Sequence, residues 1–162
     1  MSNANHMAFW SAIGAEPTPL AWAEVFQALQ TGMLDAHENA AATCVGANMQ
    51  DVQKYFNMTN HILYCNQVMI NKDNYEALPE AYQDALNQAV AEALAEIGAN
   101  LQKSDEENIK VLEDGGMTVV TYEPSFYDEI LALDGVQALY AQIDNDTNGL
   151  GTKLQAALEA AA

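Results

Sequence analysis

The 162-residue sequence predicts an α/β fold. Apolar residues recur at helical spacing around Trp22 to Met33 and again from Leu86 to Leu101, whereas residues 62–70 and 117–122 hold short apolar runs of strand length. The two kinds of segment alternate along the chain, which favours layered helices and strands over a bundle.

Thr18 followed by Pro19 reads as an N-cap and first helical residue, since a threonine oxygen accepts an orphan N–H and proline arrives with a helical φ. Trp22, Val25, Phe26, Leu29 and Met33 then repeat on one face until Gly32 loosens the end, so that face is expected to be buried. Residues 52–56 are too short to assign alone. Residues 62–70 form an apolar series broken by Asn66 and Gln67, the pattern of a strand that changes environment midway and crosses between two lobes. After Leu78-Pro79, the residues Leu86, Val90, Ala93, Leu94, Ile97 and Leu101 form one stripe in an alanine-rich background of high helix propensity. Ser104 and Glu107 have capping-box spacing, which predicts a kink or restart before the helix continues through Ile109 and Leu112 to Gly115-Gly116 and a boundary or hinge. A strand over 117–122, a helix over 125–133 and a last helix from Leu150 complete the series. There is no internal repeat, and the acidic alanine-rich stretches read as solvated helix faces.

Half of the residues are apolar, enough for a core that needs neither disulfide nor metal. Against 23 acidic side chains stand 5 basic ones, and the formal charge of -18 repels phosphate backbones and anionic membranes, which argues against nucleic acid as a partner. All five basic residues are lysines, so the chain has no guanidinium fork to hold a carboxylate in two-pronged fashion. Two cysteines, Cys44 and Cys65, fit a reduced compartment or an exported protein without bridges, and their pairing stays open. No run approaches the ~18 apolar residues of a membrane span, and the first residues lack the basic start and apolar block of a signal peptide.

His37, Cys44, His61 and Cys65 match none of the close-ligand spacings of zinc sites. Residues 144–149, Asp-Asn-Asp-Thr-Asn-Gly, copy the start of a calcium loop, but Gln155 stands where a bidentate glutamate is wanted, and entering and leaving helices are not both evident. A polar turn is the better reading, with a calcium-binding module as an alternative. Nothing suggests an enzyme: there is no nucleophile elbow and no glycine-rich phosphate loop, and no cofactor is implied.

One stretch carries more. Gly14-Ala15, Pro17-Thr18-Pro19, Trp22, Ala28-Leu29-Gln30 and the polar knot Asp35-Ala36-His37-Glu38-Asn39-Ala40 are followed by Val52-Gln53-Lys54-Tyr55, Thr59-Asn60-His61, Leu78-Pro79 and the long helix. In order and spacing this series resembles the substrate-binding proteins of tripartite ATP-independent periplasmic (TRAP) transporters, with Ala36, His37 and Ala40 replacing the family's Gly, Gln and Pro. The resemblance covers nearly the whole chain. It implies a type II periplasmic-binding-protein-like α/β fold of two lobes, here a C-terminal fragment that lacks most of the first lobe. The family's carboxylate-gripping arginine and signal peptide would then lie upstream of Met1. Residues 1–64 would belong to the second lobe, 65–103 to the first lobe and hinge, and 104–162 to the second lobe again with the C-terminal helices.

The implied function is extracytoplasmic capture of a small organic acid, a carboxylate, and its delivery to TRAP membrane permease subunits, with a periplasmic location and no cofactor. By the same resemblance Trp22 lines the ligand cavity, although an amphipathic helix equally accommodates a core tryptophan. Asn39 contacts the ligand carboxylate, against the alternative of an Asx turn holding its own loop. Asn60 and His61 form a polar pair near the cleft, with His61 acting behind the ligand or through water, against an ordinary structural histidine. Ser2 matches a further cleft position. A helical interaction protein without a ligand is the remaining alternative.

Overall fold

The computed structural model describes residues 3–62 and 67–161, in the order α1 (Ala4–Ala12), α2 (Trp22–Gln30), α3 (Ala41–Gly46), a 3-10 turn (Met49–Asp51), β1 (Tyr55–Asn57), α4 (Lys72–Glu76), α5 (Glu80–Asp114), β2 (Thr118–Val120), α6 (Pro124–Leu131), α7 (Asp134–Asp146) and α8 (Leu150–Ala161). The chain forms two compact units, one of Met1–Glu38 with Thr121–Ala162 and one of Asn39–Val120. Among the described residues no helix is long and apolar enough to cross a membrane.

In the first unit, α1 starts where the Asn3 side chain accepts the His6 N–H at 3.1 Å. Helix α2 begins at Trp22 and not at Pro19, because proline's fixed φ suits extended chain as well as a first helical turn, and Ala21 is the last extended residue. Val25, Ala28 and Leu29 are its buried face. Gly32, at φ 72°, closes the end by letting the Met33 and Leu34 amides both return to the Ala28 carbonyl, at 2.8 and 3.2 Å. Helix α7, which the sequence pattern did not announce, packs against α1, with Gly135 allowing close approach to Ala12 and Val136 fully buried.

In the second unit α3 packs on α5, and β1 pairs with β2 as a parallel ladder in the register Tyr55 to Thr118, Phe56 to Val119 and Asn57 to Val120. Parallel pairing requires a crossover, and α4 and α5 lie within it. Met49 and Leu112 are fully enclosed, and Ala41, Cys44 and Met117 are also buried in this unit. Leu63, Tyr64, Cys65 and Asn66 lie outside the described residues, so the middle of the expected strand over 62–70 and any Cys44–Cys65 pairing do too.

The expected break at Ser104 does not occur: α5 runs without interruption from Glu80 to Asp114. The capping-box partners are engaged along the helix instead, with Asn108 Nδ2 donating to the Ser104 carbonyl at 2.7 Å and Lys103 paired with Glu107 at 3.5 Å. Two glycines of α5 and its end make a paired prediction. A Cβ on Gly115 would sit 2.7 Å from Cγ of Gln50, whereas one on Gly98 would meet nothing within 4 Å. In urea unfolding, Gly98→Ala is expected to stabilise by about 0.5–1 kcal/mol through helix propensity. Gly115→Ala is expected to destabilise by about 1–3 kcal/mol through overpacking.

Candidate ligand-binding site

Trp22 is the first residue of α2, and its position at the helix start, not its centre, leaves it 47% exposed while Val25 and Leu29, about one and two turns on, are buried. A core tryptophan is therefore not what this helix carries. Across the Gly32 turn the chain returns through Asp35 and His37, and the His37 ring meets the indole edge-on, with centroids 6.2 Å apart and planes at 69°. Burial holds His37 below the ordinary imidazole range, opposed by the neighbouring Glu38 carboxylate. The ring is thus neutral near pH 7, able to donate from one nitrogen and accept at the other. In the sequence His37 stands out as a departure from the family's pattern and as one member of a histidine and cysteine set without zinc spacing, and not as a neighbour of Trp22. A lone histidine gives no periodic signal, and only the fold shows that it shares a surface with Trp22.

The lowered pKa has a measurable sign. The unfolded chain binds the His37 proton more readily than the folded one, so this contribution to stability is complete above the unfolded imidazole pKa of about 6.5 and is lost as pH falls through the lower folded value. Between pH 7.5 and 5 the urea midpoint is expected to fall less in His37→Gln than in the parent, and tryptophan fluorescence should lose a titration with its midpoint below 6.5.

The second unit holds Asn39, Asn60 and His61. Asn39 immediately precedes Ala40, the N-cap of α3, and its carbonyl accepts the Cys44 thiol at 3.9 Å. Asn60 and His61 follow the carboxyl end of β1, where ligands of parallel α/β sheets characteristically bind. Asn60 adopts φ 44°, a left-handed conformation that asparagine tolerates, and the His61 Nδ1 lies 2.7 Å from the Thr59 hydroxyl. Ser2 lies outside the described residues.

The calcium-loop alternative gains two helices, since α7 enters and α8 leaves residues 144–149, but its first ligand is already committed. The Thr152 amide and hydroxyl both donate to the Asp144 carboxylate at 2.8 Å, and these bonds hold its pKa below the usual carboxylate range. Asp144 thereby ties down the start of α8, as expected of a polar turn. No group of metal-ligating side chains occurs among the described residues.

Comparison with known proteins decides the family: residues 1–143 match the model of bacterial extracellular solute-binding proteins, family 7. The chain belongs to this family. Among family 7 relatives, a solute-binding protein of Roseobacter denitrificans is 38% identical over 129 residues, which is 80% of this chain and 39% of the relative. The C4-dicarboxylate-binding periplasmic protein of Rhodobacter capsulatus is 30% identical over 125 residues, 75% of this chain and 38% of the relative. A crystal structure of the Roseobacter denitrificans TRAP periplasmic solute-binding protein with bound L-galactonate superimposes with a TM-score of 0.72 at 34% identity, covering 85% of this chain and 44% of that one. The chain therefore has the type II TRAP binding-protein fold over less than half the length of the relatives it matches. Family 7 membership also sets aside both the calcium module and the ligand-free helical protein.

Proposed function

We propose that this chain forms part of an extracytoplasmic receptor that captures a small organic acid in the periplasm and hands it to the membrane permease of a TRAP transporter. The family 7 match over residues 1–143 carries the reading. It is supported by relatives described as binding C4-dicarboxylates or solved with a sugar acid bound, and the role is binding without catalysis. In this reading residues 1–64 and 104–162 contribute to the second lobe and 65–103 to the first lobe and hinge.

The Trp22 indole offers a flat apolar face, with the neutral His37 ring set edge-on to it, and such a face excludes water and so strengthens a bound ligand's polar contacts. The Asn39 amide orients a carboxylate oxygen without adding a charge to desolvate, and Asn60, His61 and Ser2 supply further polar contacts. The counter-charge comes from elsewhere. The sequence contains no arginine fork, and three of its five lysines, Lys72, Lys103 and Lys110, form exposed pairs with Glu76, Glu107 and Asp114 on their own helices. An arginine in the part of the family fold that this chain does not match completes the site.

The test uses an assembled receptor in which the unmatched portion of the Roseobacter denitrificans relative precedes this chain in one polypeptide. A thermal-shift panel of C4-dicarboxylates and sugar acids is expected to raise the melting temperature for at least one compound, since a ligand at 100 times its Kd stabilises by about 2.7 kcal/mol. The absence of a shift with every carboxylate would overturn the proposal.

A further inference from the structure

Asn148-Gly149 is the one asparagine–glycine step of the sequence, and it lies in the turn that joins α7 to α8, beyond the residues that match the family. The pair matters chemically because glycine has no Cβ to keep the short asparagine side chain off its amide nitrogen. Asparagine is a thermolabile residue, and this step is its most reactive setting. Asn148 is exposed, so water and hydroxide reach the step and ammonia can leave it.

In the folded chain that amide nitrogen is already engaged. Asn148 at φ 53° and Gly149 at φ 77° are successive left-handed residues that follow the end of α7. The Asn148 N–H donates to the Asn145 carbonyl at 3.2 Å and the Gly149 N–H to the Asp144 carbonyl at 2.8 Å, the paired bonds of a Schellman stop. The Asp144 side chain reaches across the same turn, where Oδ1 accepts the Thr152 N–H and Oδ2 the Thr152 hydroxyl, both at 2.8 Å. A Cβ on Gly151 would sit 3.0 Å from Asp144 Oδ1, so the bare backbone at 151 suits this close approach. Asp144 therefore holds the turn twice, through its carbonyl at Gly149 and through its carboxylate at Thr152.

We propose that Asn148 is a deamidation site which the Asp144 clamp keeps shut, and that it reacts when α8 leaves the clamp and frees the Gly149 amide. In the open turn hydroxide takes the Gly149 N–H proton, and the nitrogen attacks Cγ of Asn148. The N–Cγ bond forms, the Cγ–Nδ2 bond breaks, and Nδ2 departs as ammonia with a proton from water, which restores the hydroxide. Water then opens the resulting succinimide at either carbonyl, leaving aspartate or isoaspartate at position 148. Either product opposes reclosure. Aspartate adds a negative charge at the carboxyl end of α7, where the helix dipole is already negative and Asp144 and Asp146 lie close in sequence. Isoaspartate places an extra methylene in the main chain, so the two Schellman bonds cannot form again in register. The reaction thus converts a transient opening of α8 into a permanent one, at a rate set by how often the clamp releases.

This inference stands apart from ligand binding, and its test uses the 162-residue chain in warm, mildly alkaline buffer with mass-spectrometric peptide mapping of position 148. The folded chain is expected to deamidate at least tenfold more slowly than the guanidinium-unfolded chain. Asp144→Ala and Thr152→Val should each speed the reaction in the folded chain at least fivefold, whereas Thr152→Ser, which keeps both donors, should retain the parent rate. Amide hydrogen exchange separates release of the clamp from global unfolding: in Asp144→Ala protection should fall at residues 149–153 and persist at the buried Val136 and Leu139 of α7. Equal rates in the folded and unfolded chains would overturn the proposal. So would clamp variants that react at the parent rate, or that react faster only when protection at Val136 and Leu139 is lost as well.

Discussion

Leu112→Ala is expected to destabilise this chain by about 2–5 kcal/mol in urea unfolding. Leu112 has no exposed surface, and it lies near the end of α5 where that helix packs on α3 and leads into β2. Its carbonyl also accepts the Met117 amide at 3.0 Å, so the residue sits where the helix hands the chain to the strand. A cavity there cannot be filled by a free end, and the cost is a large part of the about 5–15 kcal/mol that stabilises a typical domain. Leu101→Ala, eleven residues earlier on the same helix and 57% exposed, should change the urea midpoint of this chain hardly at all, within about 0.5 kcal/mol. Equal effects of the two substitutions would contradict the placement of the core.

The second large effect concerns ligand binding. In the assembled receptor Trp22→Ala is expected to weaken carboxylate binding at least tenfold, about 1.4 kcal/mol or more, and Trp22→Phe should recover part of the loss because a flat apolar face remains. Asn39→Ala should weaken binding to a similar degree through the lost amide hydrogen bond. Trp22 is half exposed at the start of α2, so its removal leaves the buried face formed by Val25, Ala28 and Leu29 intact. Isothermal titration of the variants measures the loss, and melting temperatures of the unliganded proteins separate it from unfolding. Undiminished affinity in both alanine variants would remove these residues from the site.

The strongest helical signals, α2 and α5, were legible because their apolar positions repeat over several turns. The boundaries were less so. Thr18-Pro19 has the chemistry of a helix start, yet extended chain satisfies the same residues equally well, and the helix waits until Trp22. Ser104 and Glu107 have capping-box spacing, but in a long alanine-rich helix the same groups bond along the helix at four-residue intervals, and the break is bridged. Helix α7 was hidden by Asp134, Gly135, Asp144, Asn145 and Asp146, all poor helix formers, and it is held by the burial of Val136 and Leu139. Tertiary packing outweighs propensity there.

The candidate site divides in the same way. Trp22, Asn39, Asn60 and His61 are candidates picked out by motif order, and the structure describes the setting of each: an exposed indole, a residue before an N-cap, and a left-handed turn at the carboxyl end of a parallel strand. His37 needed the fold, since its contact with Trp22 is made across the Gly32 turn and leaves no spacing to read.

The central claim is that this chain supplies the neutral wall of a carboxylate-binding cleft. Isothermal titration of the assembled receptor with a small carboxylate and with its primary amide tests it most directly. The account predicts 1:1 binding of the carboxylate and affinity for the amide reduced at least a hundredfold, with Trp22→Ala weakening the carboxylate. Equal binding of the two compounds, or binding of neither, would contradict it.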